Sequence, residues 1–125
     1  MSGTIAVIGA SSNPQKYGNR AVHAWREAGW TVIPINPNEE EIEGLTAYPK
    51  IADVPDEVEV ATMYVPPALG LKMADGIIAK GVREVYLNPG AGSPELREKL
   101  EAAGIEVHEA CSIIAARTIG RSRDQ

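Results

Sequence analysis

The loop that follows the first apolar run of the sequence carries the residues best suited to bind a phosphate. Small and polar residues at 9–13 separate an apolar run at 4–8 from a helical pattern. Backbone N–H groups of such a loop, helped by the dipole of the following helix, can cradle an anion. Side-chain donors and positive charge are supplied nearby by Ser11, Ser12, Asn13, Lys16 and Arg20. The alternative at this stage is that small residues only allow strand and helix to pack closely.

Two common nucleotide motifs are absent from this region of the sequence. A dinucleotide fingerprint has the form G-x-G-x-x-G, followed about twenty positions later by an acidic residue that binds the ribose. The sequence instead has Ser11 and Pro14 in the loop, and its second apolar run leads into Asn36 and Pro37 without a carboxylate. The G-K-[ST] signature of a Walker loop does not occur. The residues therefore give little support to NAD or ATP as the ligand.

The remaining reactive side chains do not form a recognisable catalytic or metal-binding set. His23 falls in the first helical pattern, and His108 ends the fifth strand. The segment from His108 to Ser112 resembles a zinc-protease motif only in part, because a serine stands where the second histidine is required. With one cysteine and two scattered histidines, we expect no metal site and no catalytic residue.

Short runs rich in β-branched residues alternate with helical patterns along the chain. Strands are expected at residues 4–8, 31–35, 58–65, 84–87 and 105–108, and helices at 18–28, 68–80, 93–104 and 112–119. Such alternation is typical of a parallel sheet covered by helices on both faces. We therefore predict an α/β fold: a single Rossmann-like, three-layer domain with a mostly parallel five-stranded sheet of order 3-2-1-4-5. The stretch at 38–56 is expected to be a surface excursion with one short helix.

Composition limits the classes of protein to which the chain can belong. Its 125 residues are enough for one domain, and 17 acidic against 12 basic residues give a net charge of −5, which disfavours nucleic acid as a partner. No apolar run approaches the ~20 residues of a membrane helix. The single cysteine fits a reducing cytosol. We expect a cytoplasmic domain over residues 1–119, with neither nucleic-acid nor membrane partners, and a polar tail at 120–125.

The ligand site is expected at one edge of this sheet. In an open parallel sheet, ligands bind beyond the carboxyl ends of the strands, at the point where the strand order reverses. Four loops follow the strands that end there, at residues 9–14, 34–37, 65–67 and 88–90. The sequence therefore brings its phosphate-type loop together with three proline-containing loops in one crevice.

An ordered set of segments resembles the CoA-binding domain family. The segments are residues 5–11 (Ile-Ala-Val-Ile-Gly-Ala-Ser), 34–37 (Pro-Ile-Asn-Pro), 42–44 (Ile-Glu-Gly), 48–49 (Tyr-Pro), 54–55 (Val-Pro), 65–67 (Val-Pro-Pro) and the late Cys111. The family includes small stand-alone CoA-binding proteins. Related domains form the N-terminal part of the succinyl-CoA synthetase α subunit and of ADP-forming acyl-CoA synthetases. The resemblance extends over about residues 4–112, and the loop at 87–92 departs from the usual pattern of the stand-alone members.

The resemblance implies that CoA lies across the carboxyl ends of the strands. The first loop would meet the phosphates, with Lys16 or Arg20 as a charge partner, and Asn36 and Pro37 would wall the nucleotide. Residues 65–67 would pack against the adenine or the pantetheine arm, and residues 88–90 would line the other side. The implied binding residues are Gly9, Ala10, Ser11, Ser12, Asn13, Lys16, Arg20, Asn36, Pro37, Val65, Pro66, Pro67, Asn88 and Gly90.

The function implied by the resemblance is binding of CoA or an acyl-CoA, without catalytic chemistry in this chain. The alternative is an NAD(P)-dependent reductase, or another nucleotide-using enzyme, on the same fold. For a protein partner, a homo-oligomer and docking onto a separate catalytic chain both stay open. A further hypothesis is that Cys111, at the start of the last helix, forms a mixed disulfide with the CoA thiol. Its alternative role is that of a small core thiol.

Overall fold

Strands and helices alternate along the chain as the sequence predicts, and the α/β fold is confirmed. In this computed structural model, which describes residues 3–123, the elements are β1 (Thr4–Ile8), α1 (Tyr17–Glu27), β2 (Thr31–Ile35), β3 (Glu41–Ile42), β4 (Leu45–Thr46), a 3-10 turn (Ile51–Asp53), β5 (Val60–Met63), α2 (Pro67–Ala79), β6 (Glu84–Leu87), α3 (Pro94–Ala102), β7 (Glu106–Glu109) and α4 (Ser112–Arg123). A five-stranded sheet forms the centre, and all of its strand pairs are parallel.

The core consists of two apolar layers, one on each face of the sheet. Alternate residues of β1 enter opposite layers: Ile5 and Val7 pack with α1 and α4, whereas Ala6 and Ile8 pack with α2 and α3. Because both faces are covered, the central strand reads as a continuous apolar run rather than an alternating one. Trp25 of α1 is fully buried, and its ring lies 6.0 Å from that of Tyr86 in β6.

The order of the strands differs from the predicted 3-2-1-4-5. The observed order is β2-β1-β5-β6-β7, which is 2-1-3-4-5 when only the strands of this sheet are numbered. The third strand of the sheet, β5, pairs with β1 instead of β2. The reason is in β2 itself, where Pro34 has no N–H to offer a further strand and therefore favours an edge position. The outer edge of β2 is completed by Tyr48, whose N–H donates to the Pro34 carbonyl at 3.0 Å.

The stretch at 38–56 contains more structure than the sequence predicts. Besides the 3-10 turn, it forms a small antiparallel hairpin from β3 and β4. Glu43 and Gly44 connect the two strands with φ angles of 51° and 77°. Positive φ at both central residues is the requirement of the tight two-residue turns that join such strands. The prediction of an irregular excursion with a single short helix is therefore incomplete, because it does not include this hairpin.

The helix ends follow their capping residues. The hydroxyl of Ser93 accepts a hydrogen bond from the Leu96 N–H at 3.2 Å, and Pro94 occupies the first position of α3, as predicted. α4 continues to Arg123, so the expected boundary at residue 119 falls inside a helix. Residues 1–2 and 124–125 of the expected domain and tail lie outside the described residues. Within residues 3–123, no helix combines the length and apolar character required to cross a bilayer.

Candidate functional site

A cleft of about 820 Å³ opens beyond the carboxyl ends of β1, β2, β5 and β6. It lies between β1 and β5, where the chain reverses its direction across the sheet, which is the position expected for a ligand site in this kind of fold. Most of the residues predicted for the site line the cleft: Gly9, Ala10, Ser11, Lys16, Asn36, Pro37, Val65, Pro66 and Gly90. The other predicted residues, which do not line it, are Ser12, Asn13, Arg20, Pro67 and Asn88.

The loop between β1 and α1 is held in shape by its own hydrogen bonds. The Asn13 N–H donates to the Ser11 hydroxyl at 3.0 Å, and the Asn13 side-chain oxygen accepts from the Gln15 N–H at 3.0 Å. Asn13 is thus occupied within the loop, and Pro67 only begins α2. Within the loop and the first two residues of α1, the backbone N–H groups that donate no hydrogen bond to another described residue are those of Ala10, Ser11, Tyr17 and Gly18. All of these residues line the cleft, so the loop after β1 and the N-terminus of α1 both place unbonded donors beside it.

Gly18 brings the start of α1 against the loop. A Cβ atom at this position would lie 2.2 Å from the carbonyl oxygen of Gly9, a distance that no side chain tolerates. The absence of a side chain therefore permits the close contact between strand and helix that the third glycine of dinucleotide motifs also provides. The sequence contains a signal for this contact, a glycine at the expected helix start, but the predicted site residues do not include it.

Asn36 ties the loop after β2 to the loop after β1. Its amide group donates to the Ala10 carbonyl at 2.8 Å and to Glu39 Oε2 at 3.2 Å, and its oxygen accepts from the Asn38 N–H at 2.7 Å. The same Glu39 oxygen accepts from the Ser12 N–H at 3.1 Å, which explains why Ser12 faces this contact and not the cleft. Asn36 is therefore a structural part of the cleft wall, with its polar atoms already hydrogen-bonded.

The two predicted charge partners lie on different sides of α1. Lys16 lines the cleft, and its side chain has no ion pair within the part of the chain that the structure describes. The Arg20 guanidinium instead lies 5.3 Å from the centre of the Tyr17 ring. It borders a separate cleft of about 410 Å³, together with His23, Cys111 and Arg117. Lys16 and Arg20 are thus one helical turn apart, but only Lys16 lies at the predicted site.

Asn88 is a buried structural residue beneath the cleft, not a contact on its surface. It is 3% exposed, and its amide donates to Thr62 Oγ1 at 2.7 Å and to the Met63 carbonyl at 2.8 Å. Its oxygen accepts from the Ser112 N–H at 2.9 Å, which fixes the first residue of α4. Asn88 therefore joins β5, β6 and α4 through one amide group.

Tyr64 extends this buried network into the cleft, which it lines. Its hydroxyl lies 3.0 Å from Ser112 Oγ, and that oxygen also contacts Thr62 Oγ1 at 2.7 Å. Burial raises the pKa of the Tyr64 phenol above its ordinary value, although the hydrogen bonds with Ser112 and Thr62 act against the shift. The phenol is therefore neutral near pH 7. The sequence alone does not reveal this residue as part of the site, since a tyrosine after a buried strand has no distinctive spacing.

The other candidate reactive groups lie away from the large cleft. Cys111 precedes α4, as expected, but it borders the smaller cleft beside Arg20, so the geometry gives no support to a disulfide with a ligand in the large one. Glu84, Glu106 and His108 bring possible metal-ligand atoms within 4.8 Å of one another. The first two begin β6 and β7, at the end of the sheet opposite the cleft. His108 Nε2 is 3.6 Å from the Glu84 carboxylate, an arrangement that an ion pair explains.

Comparison with known proteins agrees with the resemblance drawn from the sequence. The profile of the CoA binding domain family matches residues 3–117. The acetate–CoA ligase [ADP-forming] II subunit alpha of Pyrococcus furiosus is 34% identical over 117 residues, a match that covers 93% of this chain and 25% of that protein. The chain therefore spans about a quarter of the length of this curated relative.

Solved structures give the same result at the level of the fold. A conserved hypothetical protein from Pyrococcus furiosus has a TM-score of 0.82 at 38% identity, covering 90% of this chain and 97% of that chain. The apo form of the dinucleotide-forming acetyl-coenzyme A synthetase 1 of Ca. Korarchaeum cryptofilum has a TM-score of 0.75 at 34% identity, covering 83% of this chain and 25% of that chain. By its sequence profile and by these relatives, the chain belongs to the CoA binding domain family.

Proposed function

We propose that this protein binds CoA or an acyl-CoA in the cleft at the carboxyl ends of β1, β2 and β5. The observation that carries the proposal is the group of free backbone N–H donors at Ala10, Ser11, Tyr17 and Gly18, which line the same cleft as Lys16. Backbone donors at a helix N-terminus suit the pyrophosphate of a nucleotide. The positive charge of Lys16 adds a charge-assisted contact to the same group.

The rest of the cleft suits the non-phosphate parts of the ligand. Its volume of about 820 Å³ lies within the range of about 300–1,000 Å³ usual for sites that enclose a small molecule. Apolar walls are provided on the α2 side by Val65, Pro66, Leu69 and Met73. Such walls favour a pantetheine arm, which is long and only weakly polar, because they remove apolar surface from water.

The proposed function is binding without chemistry in this chain. Among the described residues that line the cleft there is no histidine, cysteine, aspartate or glutamate, so Ser11 has no imidazole or carboxylate in the cleft to activate it as a nucleophile. The ligase activity in the name of the Pyrococcus furiosus relative is therefore not transferred to this chain. A homo-oligomer and docking onto a separate catalytic chain stay predictions.

Calorimetric titration of the purified protein with CoA tests this proposal, with acetyl-CoA as a second ligand and NAD as the control. We expect saturable binding of CoA and no binding heat with NAD, because no carboxylate ends β2 to hold the NAD ribose. Binding of NAD with no response to CoA would contradict the proposal and favour the alternative of a reductase.

Replacement of Lys16 should weaken CoA binding, whereas the same change at Arg20 should not. Lys16→Ala removes the cation at the proposed phosphate position, and we expect the dissociation constant for CoA to rise about five- to tenfold. Arg20→Ala is the matched control, because Arg20 lies on the adjacent turn but borders the other cleft. The dissociation constant of this variant for CoA should stay within about twofold of the parent value. Equal losses in both variants would mean that general charge, not this cleft, attracts the ligand.

A further inference from the structure

A carboxylate outside the large cleft is connected to the loop between β1 and α1. Glu43 lies in the turn between β3 and β4, and its Oε2 accepts a hydrogen bond from the Asn19 side-chain nitrogen at 3.0 Å. The same nitrogen donates to the Ser11 carbonyl oxygen at 2.9 Å. Asn19 is 1% exposed, so its contacts are shielded from water. The hairpin is therefore joined to a residue whose free N–H lies beside the cleft.

The backbone conformation of Glu43 is unfavourable for a glutamate. Within residues 3–123, Glu43 is the one non-glycine residue with a positive φ, 51°. Asparagine and aspartate adopt this conformation more readily, and they are the usual residues before glycine in such a turn. The contacts of the Glu43 carboxylate offset this cost, since Oε1 lies 3.1 Å from His23 Nε2 and Oε2 accepts from Asn19. A strained residue with such contacts points to a role for its side chain.

The peptide group between Ser11 and Ser12 is held at both ends. Its carbonyl oxygen accepts from Asn19, and its N–H, which belongs to Ser12, donates to Glu39 Oε2 at 3.1 Å. Because the C=O and N–H of a planar trans peptide point in opposite directions, these two bonds fix its orientation. Neither Asn19 nor Glu39 lines the cleft, so the carbonyl oxygen is directed away from the proposed phosphate position. A carbonyl oxygen turned toward a phosphate would repel it.

We propose that Glu43 is a positioning residue for the proposed CoA site: through Asn19, it keeps the Ser11 carbonyl oxygen out of the cleft, so that the phosphates meet the N–H groups of Ala10 and Ser11. The inference rests on the proposed function. It also fixes the sign of the effect. By its charge alone, a carboxylate near the site repels phosphates, so its removal would tighten binding. If Glu43 positions the loop, removal of its contact with Asn19 weakens binding instead.

Two substitutions at Glu43 separate positioning from general stabilisation of the fold. Glu43→Asn suits the positive φ, but its side chain is one methylene shorter and loses the contact with Asn19. We expect its melting temperature to stay within about 3 °C of the parent value, because relief of strain offsets the lost hydrogen bond. Its dissociation constant for CoA should nevertheless rise about three- to tenfold. Glu43→Gln retains the length and an acceptor oxygen and should stay within about twofold of the parent affinity.

Two further variants complete the titration with CoA. Glu41→Asn is the matched control, since it removes a charge from an exposed position of the same hairpin and should leave the affinity within about twofold of the parent value. Asn19→Ala removes the connection itself and should weaken CoA binding at least as much as Glu43→Asn does. Because both changes act through one contact, their combination should bind CoA no more weakly than Asn19→Ala alone.

NMR of the proteins without ligand reports the orientation of the peptide group directly. The Ser12 amide resonance should shift in Glu43→Asn and keep its parent position in Glu43→Gln and Glu41→Asn. If the parent binds CoA and Glu43→Asn binds it equally or more tightly, the inference is wrong and the proposed function stands. An unchanged Ser12 resonance in Glu43→Asn would also contradict the inference. If the parent does not bind CoA, both fail.

Discussion

Gly18→Ala should lower the melting temperature by roughly 10 °C, the largest loss of stability that we expect from adding a single methyl group. The added Cβ would lie 2.2 Å from the Gly9 carbonyl oxygen, so α1 has to move away from the loop. Forcing backbone apart in a packed region costs about 3 kcal/mol or more. Thermal unfolding followed by circular dichroism measures the effect.

Gly76→Ala is the matched control for this prediction. Gly76 also lies in a helix, α2, but the nearest atom to its added Cβ is Ile51 Cγ2 at 3.6 Å, an ordinary contact. Since alanine favours helix more than glycine does, this variant should gain about 0.5–1 kcal/mol in its free energy of unfolding. Similar melting temperatures for the two variants would contradict the close contact between α1 and the Gly9 carbonyl on which the shape of the cleft depends.

Asn88→Ala should cost about 3 kcal/mol of unfolding free energy. The change removes one side chain but leaves several buried groups unpaired, among them the Ser112 N–H and the Met63 carbonyl. Each unpaired buried group costs about 1–3 kcal/mol. Chemical denaturation measures the loss. Asn38→Ala, at an exposed position, should stay within about 0.5 kcal/mol of the parent protein, and an equally small loss at Asn88 would mean that this network does not stabilise the fold.

Asn88→Asp adds a dependence on pH to the same prediction. A carboxylate can still accept from the Ser112 N–H, but it cannot donate to the Met63 carbonyl, and burial raises its pKa in the folded protein. Because the folded state then holds a proton that the unfolded state releases, the loss of stability relative to the parent protein is smallest below about pH 4 and grows as the pH rises toward neutral. A loss of stability that is independent of pH over this range would contradict the buried position of residue 88.

The sequence predicted the strands better than it predicted their arrangement. The runs at 4–8 and 31–35 match β1 and β2. Burial on both faces of a sheet requires uninterrupted apolar residues, and such runs can be recognised from the sequence alone. Pairing between parallel strands depends on crossovers over tens of residues and leaves little local trace. The one local trace was Pro34, which indicates an edge strand and argues against the order 3-2-1-4-5.

The candidate site was predictable as a set of loops but not as a set of side chains. Loops that follow parallel strands must meet at one edge, and most of the predicted residues lie there. Directions of side chains depend on packing that the sequence does not display. Arg20 lies on the other side of α1, and the polar atoms of Asn88 are already engaged in buried hydrogen bonds.

An amide NMR titration with CoA tests the central claim most directly, since it reports both binding and its location. The expected result is a saturable shift of the amide resonances of Ala10, Ser11, Tyr17 and Gly18, whose N–H groups are free in the structure and line the large cleft. The amides of Glu84 and Glu106, at the opposite end of the sheet, should stay unshifted. Shifts confined to the cleft around Arg20 and Cys111, or none at all at millimolar CoA, would contradict the proposal.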